Sequence, residues 1–321
     1  RTGRRAGARA PEKRFLINHF EILVVDNGST DGTREMVFSR FGGHNHVPVR
    51  YIREETPGLS RARNRAIDET TSEFLVFLDD DAIPMPGWLA AIAGVFASSS
   101  DIAVVGGEMV PVYEGGKPPW LPLEAEHLFM PMIPGEGLRR ISYPHYPYGA
   151  NIAFRRRVFR QAGQFREDLG YCASALVPSE ETELLVRAEN TGAVIMFEPK
   201  AAVEHHVLQD RLSKQYIRRR FLPVGVGYYE IHKTRCSDTG NWGFREIADG
   251  LRMSILALIA LRGRIVCLRR KEDKLGFAEE LKCLTQVGWH RARFHDALHQ
   301  LWVRIRSMRA ARTPERPPPP S

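Results

Sequence analysis

The sequence predicts an α/β protein: a mostly parallel sheet flanked by helices, followed by a basic helical extension. Three observations carry this. Short apolar runs alternate with helix-patterned segments through the first two thirds of the chain, and such alternation implies parallel strands joined by crossovers. The apolar runs end in turn and acidic clusters, DNGSTDG at 26–32 and DDD at 79–81, where open α/β sheets bind ligands. From Leu212 onward the pattern is helical, and residues 211–321 hold 23 Lys/Arg against 10 Asp/Glu, a net of +13, whereas residues 1–210 carry −5.

The elements follow in order. Residues 21–26 (EILVVD) form a buried strand running into a turn, and Thr30 or Asp31 caps a helix over 32–41. A short strand at 49–53 precedes a helix at 60–69, and a second apolar strand at 74–78 precedes a helix at 86–97 with proline in its first turn. Residues 102–110 form the next strand. Residues 113–146 are irregular and rich in Pro, Gly and aromatics, the composition of a functional loop. A strand at 148–154, a short helix at 156–163, a helix at 180–190 capped by Ser179 and ended by Gly192, and a strand at 193–198 complete the α/β part.

Four cysteines (Cys172, Cys236, Cys267, Cys283) form no C-x-x-C pair, which indicates reduced thiols in a cytoplasmic compartment. Residues 1–14 are basic without an apolar h-region, and residues 312–321 are Pro-rich; both are expected to be disordered. The most apolar stretch, 253–261, is far shorter than the ~20 residues a bilayer span needs. The basic helices suit anionic lipid, nucleic acid or an anionic substrate, or simply a solvated face. No RNP motif, zinc finger or helix-turn-helix pattern supports nucleic acid.

Three carboxylates in a row at a strand end repel one another unless something positive neutralises them. A hard divalent cation does so, and Mg²⁺ or Mn²⁺ binds through one or two carboxylates plus substrate phosphates. Asp79 and Asp81 can serve different tasks, one toward a sugar hydroxyl and one toward the metal. Upstream, PGLSRARN (57–64) sets Gly58 before a helix bearing Arg61, Arg63 and Arg65, a candidate anion seat. Asp26 can accept from a base or ribose. Together these make one pocket that suits a nucleotide diphosphate.

VVDNGSTDGT (24–33), PGLSRARNRAI (57–67), FLDDDAIP (77–84), YGANIAFRR (148–156) and SEETELLVR (179–187) together resemble family 2 glycosyltransferases of the GT-A, Rossmann-like fold. The resemblance covers about residues 21–235 and implies a nucleotide-sugar donor (UDP-, GDP- or dTDP-linked), a divalent metal and inversion at the anomeric carbon. It places Asp26 on the nucleotide, Arg63 beside the base or diphosphate, Asp79 toward the ribose and Asp81 on the metal. Asp80 lies between them and is counted with the donor-binding residues. Gly149 and Asn151 would shape the sugar and acceptor pocket. Glu181, with Glu180 beside it, stands where the family has its base; the family's Glu-Asp reads Glu-Glu here. His205 in EHHV resembles a segment that reaches the diphosphate or metal, which adds His205 and Asp79 to Asp81 as metal ligands. Trp120 in the long loop is a candidate for stacking on sugar. The family's opening strand and P-x-Y-N turn are absent, so the catalytic domain is placed at 15–211, its first strand missing, and the helical extension at 212–311.

The expectation is a metal-dependent inverting transferase acting on a saccharide or lipid-linked acceptor in polysaccharide or glycolipid synthesis, in the cytoplasm or at the inner face of the cell membrane, with peripheral contact through the basic helices. The rivals are a non-catalytic nucleotide-sugar-binding remnant and a metal-dependent nucleotidyltransferase.

Overall fold

The computed structural model describes residues 20–42, 47–171, 176–236, 243–269 and 273–310. The expected disordered ends 1–14 and 312–321, and Cys172, lie outside them; of the other cysteines, Cys236, Cys267 and Cys283 are free thiols. Along the chain run β1 (Ile22–Asp26), α1 (Thr33–Phe41), β2 (Val49–Arg53), α2 (Leu59–Asp68), β3 (Phe74–Leu78), β4 (Ala82–Pro84), α3 (Trp88–Ser98), β5 (Ile102–Tyr113), α4 (Leu123–Glu126) and β6 (Arg139–Ile141). Then come β7 (Asn151–Arg155), α5 (Arg157–Ala162), β8 (Gly170–Tyr171), β9 (Leu176–Val177), α6 (Glu180–Asn190), β10 (Val194–Val207), α7 (Lys214–Arg235), α8 (Phe244–Arg269) and α9 (Lys274–Ala310).

Two compact units divide the chain: Arg1–Val112 with Phe129–Glu167 and Ala188–His206, and Tyr113–Leu128 with Asp168–Arg187 and Val207–Ser321. In the first, β1 and β2 form a parallel pair, and a second sheet runs in the order β3-β7-β5-β10-β4, with β6 on β10. The two-residue period of β3 sorts its side chains. Phe74 and Val76 face α3, where Ile92, Val95 and Phe96 pack on Ile102, Val105, Ala153 and Ala201. Phe77 faces the other way, into an aromatic cluster with Phe154 and Phe165, which Phe159 of α5 joins. Local geometry shifts the helix starts. Gly87 takes φ +85, so α3 begins at Trp88, and Asp31 Oδ1 accepts from Thr33 N at 3.0 Å, so α1 begins at Thr33.

The α/β class and the helical C-terminal part hold, but the strand directions correct the mostly parallel sheet. β7 is antiparallel to both β3 and β5, and β10 is antiparallel to β4 and β6. β3 and β5 therefore do run the same way, as their helical connection implies, but β7 slots between them. Periodicity identifies strands; it does not say which later strand inserts between two earlier ones.

In the second unit, α7 and α9 pack at a glycine crossing. A Cβ on Gly225 would collide with the Thr285 carbonyl, and one on Gly288 with the Leu222 carbonyl. Glu280, 1% exposed, takes Arg218 Nε at 2.9 Å and Arg269 Nε at 2.8 Å, tying α7 and α8 to α9. Trp120 lies edge-on to Phe277 with Lys214 above both rings, so it is a packing residue here.

Candidate active site

The three consecutive carboxylates separate because each is drawn a different way. β3 ends at Leu78, and the turn before β4 is closed by Ala82 N donating to the Asp79 carbonyl at 3.1 Å. Asp79 Oδ1 accepts from Arg63 Nη2 at 3.1 Å. Asp80 is exposed. Asp81 turns toward β10, its carbonyl accepting from His206 N at 2.8 Å and its Oδ1 lying 3.5 Å from His205 Nε2.

The histidine geometry is informative. His205 Nδ1 lies 2.6 Å from the Phe129 carbonyl, which can only accept, so Nδ1 carries the proton. In the neutral ring Nε2 then presents a lone pair toward a carboxylate oxygen. Two acceptors facing each other call for a cation between or beside them, or a second proton on the ring. Among the described residues, no cluster of three or more His, Cys, Asp or Glu is arranged to hold a metal. A hard cation here would therefore take Asp81 and His205 from the protein and complete its shell with phosphate oxygens and water, which is how Mg²⁺ and Mn²⁺ commonly bind. The residues fit such an ion on those terms. Asp79, the third expected ligand, is held by Arg63 instead.

Behind the acidic turn, α2 buries a polar face, since Ser60, Arg63, Asn64 and Ile67 recur at helical spacing. Arg63 is 5% exposed, and its guanidinium lies 5.5 Å from the Phe165 ring centroid. Asn64 and Phe165 exchange two hydrogen bonds, at 2.9 and 3.0 Å. A Cβ on Gly149 would stand 2.5 Å from both terminal nitrogens of Arg63, so the glycine makes room for the guanidinium. The arginines of α2, expected to form an anion seat, each meet a protein carboxylate here. Arg61 holds Glu167 at 2.9 Å, Arg65 holds Glu69 at 2.7 Å and Arg63 holds Asp79. Arg63 is thus the direct side-chain partner of Asp79.

Asp26 is buried at the end of β1. Its carboxylate accepts from Ser29 N at 2.7 Å and from the Tyr51 hydroxyl, and Arg53 Nη1 lies 3.4 Å away. Burial pushes this carboxyl up, but the donors from Tyr51 and Ser29 and the charge of Arg53 outweigh it and hold it below the ordinary range. Next to it, the Asn27 side chain accepts from Gly58 N at 2.7 Å and donates to the Thr56 carbonyl at 3.1 Å, which pins the PGLS turn to the end of β1.

Asn151 is 1% exposed and has a structural task. Its carbonyl accepts from Trp88 Nε1 at 2.8 Å, and its amide donates to the Glu108 and Ala201 carbonyls, each at 2.8 Å. It brackets α3, β5 and β10 rather than lining a sugar pocket, because every amide hydrogen is already committed. Gly107 leaves space for it: a Cβ there would come within 2.5 Å of the Asn151 amide nitrogen.

Glu180 and Glu181 belong to the second unit, at the first turn of α6. Glu180 is buried and Glu181 partly exposed. Ser179 enters the helix at φ +100, an uncommon conformation for a residue with a side chain. Four residues on from Ser179, Glu183 is held by Arg187 at 2.8 Å and by the Thr234 hydroxyl at 3.1 Å.

Tyr51, Arg53 and Phe165 are absent from the expectations above, and Trp88 reads from the sequence only as a core or interface residue. A period-2 reading of β2 puts Tyr51 and Arg53 on one face and flags that pair; nothing local marks Trp88 or Phe165, which act across 63 and 101 residues of chain.

Residues 13–163 match the family described as glycosyl transferase family 2. A glucosyl-dolichyl phosphate glucuronosyltransferase of Haloferax volcanii is 28% identical over 197 residues, covering 61% of this chain and 62% of its own. A pre-mycofactocin glycosyltransferase of Mycobacterium tuberculosis is 27% identical over 281 residues, covering 84% of this chain and 56% of its own. The chain thus spans about three fifths of the length of these curated relatives. Among solved structures, the mannosyltransferase PcManGT of Pyrobaculum calidifontis, in complex with GDP-Man and Mn²⁺, aligns over 89% of this chain and 66% of its own at 16% identity and TM-score 0.47.

Proposed function

We infer that this chain, whose residues 13–163 match glycosyl transferase family 2, transfers a sugar from a nucleotide-sugar donor to a hydroxyl acceptor with the help of a divalent cation and with inversion. The observation that carries the reading is the pairing of Asp81 Oδ1 with His205 Nε2 at 3.5 Å, the imidazole fixed from behind by a carbonyl. Asp81 and His205 would hold the cation, which when bound supplies positive charge against the leaving diphosphate. Asp79, steadied by Arg63, would meet the ribose. Asp26 and the Asn27–Gly58 link would shape the seat of the nucleotide, with Gly149 keeping Arg63 in register. The exposed Asp80 would meet the donor at the rim.

The chemistry is one displacement. The acceptor oxygen forms its bond to the anomeric carbon as the bond from that carbon to the diphosphate oxygen breaks, and the hydroxyl proton passes to Glu181. Glu181→Gln should abolish transfer while donor affinity stays within a few-fold; sustained turnover would remove Glu181 from the reaction. Calorimetry with UDP, GDP and dTDP, each with and without Mn²⁺, tests the rest. Asp81→Asn and His205→Ala should each erase most of the metal-dependent gain in affinity. A wild-type chain whose nucleotide binding ignores Mn²⁺ would overturn the proposal.

The acceptor reading adds an anionic bilayer surface, supported by α8. Met253, Leu256 (53% exposed), Ile259 (66% exposed) and Val266 lie on its outer face. Residues 250–269 contain four arginines and no acidic residue. An apolar stripe flanked by arginines suits anionic headgroups over an acyl boundary, and two such faces from two copies would repel. No helix among the described residues is long and apolar enough to cross a membrane.

A further inference from the structure

We infer that Arg220, on α7, anchors a binding site for a phosphoryl group in the second unit. Three consecutive arginines on α7 meet three different fates. Arg218 grips Glu280 with two parallel bonds, Nε to Oε1 and Nη2 to Oε2, each at 2.9 Å. Arg219 is exposed to water. Arg220 is partly buried with its guanidinium 4.0 Å from the Tyr171 ring centroid and 5.9 Å from that of Tyr216. Among the described residues, no carboxylate, carbonyl or hydroxyl accepts a hydrogen bond from it.

That combination leaves donors open. A guanidinium carries five N–H donors and stays charged at neutral pH; here stacking takes part of it out of water while its nitrogens stay accessible to an incoming anion. Burial alone pulls its pKa down to about 10. Two of the unit's other half-buried arginines have acceptors, Arg187 at Glu183 and Arg218 at Glu280. What Arg220 lacks is an anion. Stacking on Tyr171 fixes the plane of the guanidinium and leaves its edge as a two-pronged donor, the geometry that matches phosphate oxygens.

Tyr171 lies in β8, paired with Leu176 of β9, and Gly170 pairs with Val177. The chain then passes through Pro178 and the strained Ser179 into Glu180 and Glu181. Gly227, two turns beyond Arg220, packs so closely that a Cβ would lie 2.5 Å from Ser179 Oγ. α7 therefore meets Tyr171 through Arg220 and Ser179 through Gly227. A phosphoryl group on Arg220 binds at the base of the segment that delivers the two glutamates. Its source is either the diphosphate of a nucleotide or the phosphate of a lipid-linked acceptor; only that choice, not the anion site, rests on the transferase reading.

The test is calorimetry on the full chain in EDTA, with inorganic pyrophosphate as probe, comparing wild type, Arg220→Met, Arg220→Lys and Arg219→Met. Pyrophosphate affinity should fall about tenfold or more in Arg220→Met, by a smaller factor in Arg220→Lys, which keeps charge but loses the fork, and stay unchanged in Arg219→Met. If Arg220→Met does not fold, the loss in Arg220→Lys against Arg219→Met decides. UDP and phosphatidylcholine vesicles doped with dodecyl phosphate then identify the source by which of them shows the same Arg220 dependence. Failure of wild type to bind pyrophosphate, or equal binding by the Arg220 and Arg219 variants, overturns the site. Because no metal is present, a nucleotide affinity indifferent to Mn²⁺ would sink the transferase reading and leave this result untouched.

Discussion

Gly149→Ala gives the sharpest test of how the acidic turn is held. The new Cβ would sit 2.5 Å from both terminal nitrogens of Arg63, whereas an ordinary contact is roughly 3.5 Å or more, so the guanidinium must retreat by about 1 Å. Phe165 lies on one side, and the tip of the side chain is the part able to move, so retreat breaks the bond to Asp79. A hydrogen bond to a charged group contributes roughly 1.5–3 kcal/mol. The Asp79 side chain is 33% exposed, so water recovers part of that, and the expected loss is about 1–2 kcal/mol. Urea unfolding should show it as a lower midpoint with an unchanged slope. A double-mutant cycle with Arg63→Met isolates the cause: in that background Gly149→Ala should cost nearly nothing. An equal cost in both backgrounds would refute the argument, because the collision would then lie elsewhere.

Other outcomes follow from the same contacts. Asn151→Ala removes three buried hydrogen bonds and should destabilise the protein by about 3 kcal/mol in chemical denaturation. Tyr113 is pushed up to about 12 from an ordinary 10.0 by burial and then by Glu126. Its contribution to stability is complete below the unfolded value and lost as pH rises through about 12, so ultraviolet titration should find a late-ionising phenol that Tyr113→Phe removes. The chain should co-sediment with phosphatidylglycerol vesicles but not with phosphatidylcholine vesicles, and Leu256→Glu with Ile259→Glu should release it; retention by the double variant would count against α8 as the contact.

Much of the candidate site was visible in the sequence because its parts are local. The strands at 49–53 and 74–78 lie where the apolar alternation puts them, and the acidic turn follows directly. The meeting of Arg63 with Asp79 spans only 16 residues, within one strand–helix–strand succession. What the sequence hid depends on neighbours remote in the chain. β7 enters the sheet between two earlier strands, so Asn151 finds partners 43 to 63 residues away and becomes a bracket instead of a pocket residue. Three adjacent arginines on α7 read as one basic patch, yet only packing separates the one gripping Glu280 from the one stacked on Tyr171.

At the crossing of α7 and α9, Gly225 and Gly288 let two helical backbones meet with no side chain between them. Such a joint has almost no slack. Any larger residue there would wedge the helices apart and push α7 away from α9. The disturbance would reach Tyr171 and Ser179 together, through Arg220 upstream and Gly227 downstream. Two hydrogen atoms thus set the tolerance for a corner of the protein neither glycine touches.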